Sequence, residues 1–367
     1  MESLGKNLRL VDLRKEFGDL VAVNDLNLEV KRGEFACLLG PSGCGKTTTL
    51  NMIAGLLEPT SGNIYVGDSD ITELPPKARN VGLVFQNYAV FTGMSVYENL
   101  AFGLKVRKVP DNEIKNEVMK VAETLQLTSI LDRKAAKLRL DEQQRTALGR
   151  SMITKPAFFL LDEPLSNLDA SLRSFMRVEL KRLQRELNQT ILYVTHDQIE
   201  AMAMADRIAI MDSGKLQQYG TRSEVYDQPA NRFVANFIGS PNMNFIDCTL
   251  VEKAGNAYLD TGEFQIDVTK MKTTITKGAK SSEQIIGVRP EDVYVEMKKS
   301  TKTPIKGTVY LIEPLGAKTI IDIKAGKSMI RSLVSGTFRP KIDDEIWMGF
   351  NMNKMHLIDR KTELTIF

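Results

Sequence analysis

Short apolar runs separated by helical periodicities, and a shift to β-branched texture after about residue 236, mark this 367-residue chain as an α/β domain followed by a smaller all-β one. A chain of this length predicts about two or three domains. Residues 35–39, FACLL, lie between Gly33 and Gly40 and read as a buried strand. Similar runs follow at 81–85, 158–161 and 191–195, each succeeded by polar or charged residues, as expected where parallel strands end at a site. Between them, Ile114, Val118, Val121 and Leu125 recur at helical spacing after Pro110 and Asp111. Leu180, Leu183 and Leu187 mark a second helix in the charge-laced stretch 171–188. From Asn244 onward the segments are short and rich in β-branched residues, with turn residues between them. The boundary is placed near Gly239, Ser240 and Pro241, giving domains 1–236 and 237–367.

Composition narrows the class. Hydrophobic residues at 43% and charged residues at 26% are those of an ordinary globular protein. The net charge of +3 gives no strong field toward nucleic acid or anionic lipid. Cys37, Cys44 and Cys248 form no CxxC pair, which argues against a disulfide framework or thiolate metal site and for a reducing compartment. The N-terminus has scattered charges and no apolar core of signal-peptide length, and no run reaches the roughly 18 to 20 apolar residues of a membrane span. If the chain serves a membrane process, other chains must cross.

Residues 40–47 read GPSGCGKT, a complete G-x-x-x-x-G-K-[ST] phosphate loop between a strand and a helix. Gly40, Gly43 and Gly45 allow backbone amides to turn toward phosphates, with Pro41, Ser42, Cys44 and Thr48 completing the cradle. Lys46 supplies a point charge and Thr47 a hydroxyl for Mg²⁺. Cys44 reads as a small filler. In FFLLDEP, Asp162 is expected to hold Mg²⁺ and Glu163 to polarise the attacking water. Gln86 follows VGLVF, where its amide can sense Mg²⁺ and water, and His196 follows ILYVT, within reach of a γ-phosphate. His356 has no comparable setting.

The order GPSGCGKT, VFQN, FFLLDEP, LSNLD and YVTHD resembles the ATPase subunit of ATP-binding cassette transporters over about residues 8–236, with a helical subdomain at about 87–152. That resemblance implies ATP and Mg²⁺ as ligands, Lys46 and Thr47 on phosphate and metal, Gln86 as the Q-loop and Asp162 as the Walker B aspartate. It makes Glu163 the catalytic base, Asp169 the D-loop residue and His196 the switch histidine. Phe17 stands where the family usually places a tyrosine on adenine, and an aromatic face remains. FIGSPNMNF, GVRPEDV and WMGFNMNKMHLID resemble the OB-like regulatory domain of maltose-type importer ATPases. The two resemblances imply an ATPase dimer on the cytoplasmic face of the cell membrane, beneath two permease subunits fed by an extracytoplasmic solute-binding protein. Permease helices would dock near residues 87–105, where Tyr88, Phe91 and Met94 read equally well as contacts or as subdomain core. The implied cargo is a carbohydrate, polyol or glycerol phosphate. The alternatives are an ion or polyamine importer and a soluble regulatory or nucleic-acid ATPase, the last disfavoured by the charge.

One motif departs from the pattern. Where the family has LSGGQ before QQR, this chain has Leu138, Arg139, Leu140, Asp141 and Glu142, then Gln143, Gln144 and Arg145. Losing the glycines restricts close backbone approach to phosphate. Asp141 and Glu142 are expected to bring like charge to a helix N-terminus, about 4 kcal/mol per contact at 4 Å and an effective dielectric near 20. Weak turnover is expected of a homodimer. The altered loop therefore favours a heterodimer, in which a related ATPase with an intact signature completes one competent site and the other site is degenerate.

Overall fold

The computed structural model describes residues 6–86, 88–166 and 168–367. Residues 1–5, Asn87 of VFQN and Asn167 of LSNLD lie outside the described residues. The chain divides into two compact units, 1–222 and 223–367.

Among the described residues the first unit holds two sheets. The first is antiparallel, of order β2-β1-β4-β5, from β1 (Leu8–Phe17), β2 (Leu20–Val30), β4 (Ser61–Val66) and β5 (Ser69–Asp70). Its inward positions alternate through Leu26, Leu28 and Val30 on β2, while on β1 the buried Leu8 and Leu10 are followed, past a register shift, by Leu13. The second has the order β10-β9-β3-β8-β7-β6, built from β3 (Phe35–Leu39), β6 (Val81–Val84), β7 (Phe158–Asp162), β8 (Ile191–Thr195), β9 (Arg207–Asp212) and β10 (Lys215–Thr221). All of its pairings are parallel except β9 with β10. Every residue of β3 and β8 is buried, which is why those segments read as unbroken apolar runs rather than alternating ones. The register aligns strand ends: Leu39 pairs with Thr195, Asp162 with Val194 and Val84 with Leu161. The loops after β3, β6, β7 and β8 therefore leave the sheet along one edge, where ligands bind in open α/β sheets.

Helix α1 (Lys46–Ala54) follows the phosphate loop and stops at Gly55, whose φ of 76° needs no Cβ. The buried Arg79 guanidinium donates to Met52 O at 2.7 Å and Ile53 O at 3.0 Å, satisfying carbonyls that the helix end leaves open. Helices α2 (Val96–Val106), α3 (Asp111–Thr124) and α4 (Leu140–Met152) fall within the expected helical subdomain. A reciprocal Ser95–Glu98 capping box starts α2. The α3 stripe is Ile114, Val118 and Ala122, with Leu125 buried just beyond the helix. Helix α5 (Ala170–Leu187) buries Met176, Leu180 and Leu183, and α6 (Gln198–Met204) begins at an Asp197 cap.

The second compact unit takes in the chain from Ser223 on, ahead of the β-rich segment expected from 237. Helices α7 (Arg222–Asp227) and α8 (Arg232–Phe237), apart from Arg222 itself, belong to it. The reason is Arg289 of GVRPEDV, a buried guanidinium that donates to Tyr226 O and Ile238 O, both at 2.6 Å, and stacks 3.7 Å above the Tyr226 ring. Lys354 pairs with Asp227 at 2.7 Å, and Arg232 N donates to Glu363 O at 2.9 Å. Apolar periodicity carries no trace of such carbonyl-to-guanidinium ties, so the texture change after 236 missed them.

The strands of this unit form two antiparallel sheets. One, of order β13-β12-β11-β14-β20, uses β11 (Asn244–Lys253), β12 (Asn256–Asp260), β13 (Gln265–Asp267), β14 (Glu283–Val288) and β20 (His356–Asp359). The other, β15-β19-β16-β17-β18, uses β15 (Val293–Glu296), β16 (Ile305–Pro314), β17 (Lys318–Ala325), β18 (Ser328–Ser335) and β19 (Glu345–Phe350). A short helix, α9 (Lys272–Gly278), lies between β13 and β14 in sequence. Ile246, Leu259, Ile286 and Leu357 of the first sheet share one core with Val309, Ile321, Ile330 and Met348 of the second. Asn244 joins the sheets, donating to Arg331 O at 2.8 Å and accepting from Arg331 N at 2.7 Å. His356 is a core residue of this unit, and burial lowers its pKa.

Candidate functional site

A cleft of about 630 Å³ opens over the phosphate loop, within the size range of small-ligand pockets. Phe17, Ser42, Gly43, Gly45, Lys46, Thr47, Thr48 and Glu163 line it together with Ala22, Ser213 and Gly214. Two of the loop's glycines have no room for a side chain: a Cβ on Gly45 would lie 2.4 Å from Ala22 O, at a φ of 101°. At Gly40 a Cβ would lie 2.3 Å from Met211 O. Lys46 is buried and donates to Gly40 O and Pro41 O, both at 2.8 Å. Cys44 is buried beneath the loop with its Sγ 3.7 Å from Lys46 Nζ, and burial raises its thiol pKa, so it fills space as expected and is not a poised thiolate. At the far end of the cleft Phe17 is half exposed, its ring 5.1 Å from Lys15 Nζ.

Thr47 Oγ1 lies 3.5 Å from Asp162 Oδ1, placing a hydroxyl beside a carboxylate at the N-terminus of α1. Burial raises the Asp162 pKa, and the neighbouring Glu163 charge adds to it, while Thr47 and Lys46 oppose. A carboxylate held this way gains from a cation, and an oxygen pair of this kind suits Mg²⁺.

Glu163 is the hub of the site. Its backbone is in the left-handed region, φ 43°, which a glutamate rarely adopts, and its N–H donates to Val194 O at 2.9 Å. The side chain meets His196 Nδ1 3.0 Å from Oε1 and Gln86 Nε2 3.5 Å from Oε2. Ser166, which the sequence reading did not single out, donates through Oγ to Glu163 O at 2.9 Å and accepts from Gln86 Nε2 at 3.3 Å. Its position three residues past Glu163 was the available signal, a hydroxyl able to close the turn onto the preceding carbonyl. Asp169 does not join this cluster: its carboxylate accepts from Ser171 N and Leu172 N, both at 3.0 Å, and caps α5.

Arg139, Leu140, Asp141 and Glu142 stand at the start of α4 and are not among the residues lining the cleft. Their charges do not point outward as expected. Asp141 is buried and accepts from Arg145 Nη2 at 2.7 Å and Arg139 Nη2 at 3.2 Å. Glu142, also buried, accepts from Arg139 N at 2.9 Å and from Arg133 Nη1 at 3.1 Å. Each negative charge is thus matched within its own domain, which works against the anticipated repulsion of about 4 kcal/mol per contact. What the loop presents is Arg139, with a side chain 74% exposed, and Leu140, 47% exposed. The i,i+4 spacing of Asp141 and Arg145 was a readable sign of this.

Of the three proposed docking residues, Tyr88 is buried, Met94 is half-buried, and Phe91 is exposed, with its ring 4.7 Å from Phe102. Tyr88 is therefore core, not contact. Among the described residues no helix is long and apolar enough to cross a membrane.

A phosphate loop, an acidic strand end and a polarised glutamate along one edge of a parallel sheet define a nucleotide-hydrolysing α/β protein. Family models match the chain as ABC transporter over residues 23–166, MalK OB fold domain over 239–293 and TOBE domain over 286–358. It is 48% identical to the trehalose/maltose import ATP-binding protein MalK of Thermococcus litoralis, over 98% of this chain and 99% of that one. It is 43% identical to the oligosaccharides import ATP-binding protein MsmX of Bacillus subtilis, covering 94% and 95% of the two chains. To the sulfoquinovosyl glycerol transport ATP-binding protein SmoE of Agrobacterium fabrum it is 38% identical, covering 98% and 99%. Among solved structures, cbiO1 of Clostridium perfringens, part of an ABC transporter complex, superposes with a TM-score of 0.56 at 29% identity, over 59% of this chain and 89% of that one. The chain thus belongs to the ABC transporter import ATPases, with the cassette fold followed by OB-type β domains.

Proposed function

We propose that this protein energises import of a carbohydrate, polyol or glycerol phosphate by hydrolysing ATP at the cytoplasmic face of the cell membrane, beneath two permease subunits supplied by a solute-binding protein. The observation that carries the reading is the Glu163 hub, where His196 and Gln86 engage one carboxylate beside the phosphate loop and Ser166 holds the backbone carbonyl of the same residue. Similarity to import ATPases along almost the whole chain supports the cargo class.

In this scheme adenine rests on Phe17, and the phosphates lie along the amides of 40–48, with Lys46 turning its charge from the loop carbonyls to the β- and γ-phosphates. Thr47 and Asp162, with Gln86 beside them, would hold Mg²⁺, which neutralises charge on the phosphate oxygens. Glu163 accepts the proton of a water attacking the γ-phosphate in line, and His196, engaged with Glu163 through Nδ1, keeps Nε2 for the transferred phosphoryl group. Asp169, capping α5, acts across the dimer.

The signature loop supports an asymmetric heterodimer. With the acidic charges neutralised, the obstacle is steric: Leu140 stands at a glycine position and Arg139 replaces the serine hydroxyl. A partner ATPase with an intact signature would complete the site that uses this chain's Lys46, Asp162, Glu163 and His196. Turnover is to be measured for the purified chain alone and for the assembled transporter, wild type and Glu163→Gln. The reading expects weak turnover alone, turnover in the assembly and none in the variant. Transporter-like rates from the isolated homodimer would refute the asymmetry, and turnover by Glu163→Gln would refute the role of Glu163.

A further inference from the structure

We infer that Arg173 is a positioning residue for hydrolysis, clasping the loop that follows Glu163 to the segment that carries His196. It sits in the first turn of α5 and reaches both sides at once. Its Nη2 donates to Leu168 O at 3.0 Å and Ser166 O at 3.4 Å, on the loop after β7. Its Nη1 donates to Asp197 Oδ2 at 3.5 Å, immediately after His196. Its Nε lies 4.0 Å from Glu200, which is buried beneath β8 and accepts from Tyr193 Oη and Thr195 Oγ1, both at 2.8 Å. Thr195 Oγ1 also receives Asp197 N at 3.0 Å, so the backbone on both sides of His196 is tied to the same cluster.

The functional pairs depend on those two segments staying in register. Glu163 and Ser166 belong to one, His196 to the other, and the Glu163–His196 contact of 3.0 Å spans the gap. A planar guanidinium with several donors in a fixed fork can hold two carbonyls and a carboxylate together, which an ammonium cannot do in full. Arg173 is not among the residues lining the phosphate-loop cleft, so it acts on the chemistry through the groups that its two segments carry, Glu163 and His196 foremost. This inference rests on the reading of Glu163 as the base.

The test uses the assembled transporter with Arg173→Gln, Arg173→Lys and Arg173→Ala, measuring equilibrium ATP binding and single-turnover hydrolysis. Expected are a nucleotide Kd within about twofold of wild type and a hydrolysis rate lowered by about ten- to a hundredfold in Arg173→Gln, the scale of a small misplacement of catalytic groups. Arg173→Lys should lie between the two, and added guanidinium should restore part of the Arg173→Ala rate. Wild-type hydrolysis in Arg173→Gln, loss of binding in proportion to rate, or absence of rescue by both lysine and guanidinium would overturn the inference. If the Arg173 variants do not fold, Asp197→Asn, which keeps an acceptor for the α6 cap, should show the same split between rate and binding, and an unchanged rate would overturn it. Glu163→Gln is run in parallel: persistent turnover there defeats the reading of the base, whatever Arg173 does.

Discussion

Exchanging Arg145 for methionine should destabilise the first unit through a carboxylate that loses its principal partner. Asp141 and Arg145 have side chains 11% and 16% exposed and meet at 2.7 Å. Removing one member of such a buried pair costs about 3 to 5 kcal/mol, because the other charge is left in a poorly solvated place. Arg139 still reaches Asp141 at 3.2 Å, but with a side chain 74% exposed it recovers at most about 1 kcal/mol. Arg145 also donates to Leu125 O and Gln126 O, both at 3.3 Å, and those carbonyls lose a donor. The expected net loss is about 3 kcal/mol, a fall in Tm of roughly 6 to 12 °C for a domain of this size. Denaturant and thermal melts by far-UV circular dichroism give the magnitude, and hydrogen exchange of α4 amides shows that the loss is local. The double variant Arg145→Met with Asp141→Leu should recover most of it, since an apolar pair replaces a buried ionic one at little cost. A loss under about 1 kcal/mol in the single variant, or a double variant no better than the single, would refute the account of the signature loop as internally neutralised.

Tyr88→Phe should raise stability by about 1 kcal/mol, because the hydroxyl is buried without a hydrogen-bond partner among the described residues, and denaturant melts would show it. In the second unit, burial opposes ionisation of Asp359, yet the N–H groups of Thr362, Lys280 and Ser281 and the Thr362 hydroxyl outweigh it and hold the pKa at about 2. Since the unfolded value is near 3.9, this stabilisation is complete above about pH 4 and fades as pH falls toward 2. Acid melts of Asp359→Asn should therefore be less stable than wild type near neutrality and lose the part of the pH dependence that lies between those values.

Three strands of the parallel sheet, 35–39, 158–162 and 191–195, were legible because they are buried almost throughout, while 81–84, at the sheet edge with burial alternating along it, was legible only as a short apolar run before Gln86. The phosphate loop was legible because its chemistry is local, compressed between one strand and one helix. The hub around Glu163 was legible only in its members. That Ser166 bridges Gln86 and Glu163, or that Arg173 spans two loops, depends on strands brought side by side from distant sequence, and no periodicity encodes it. The carboxylates at 141 and 142 were legible as charges but not as directions: Arg133 reaches Glu142 only because the chain turns back before α4. The antiparallel sheet of β1, β2, β4 and β5 was not anticipated, since its alternation is broken by register shifts near Leu13 and Lys15.

The way Arg289 grips Tyr226 O and Ile238 O bears on how such chains can be shuffled. A graft that exchanges the β-rich portion at residue 236 would leave Tyr226 and Asp227 behind and give the incoming portion a buried cation with one of its two acceptors supplied by a foreign chain. A seam at 222/223 transfers α8, all of α7 but its first residue, the guanidinium and the Asp227–Lys354 pair as one inherited module. For a laboratory graft between cassette ATPases the seam that keeps these contacts together thus lies where no change of residue texture marks it.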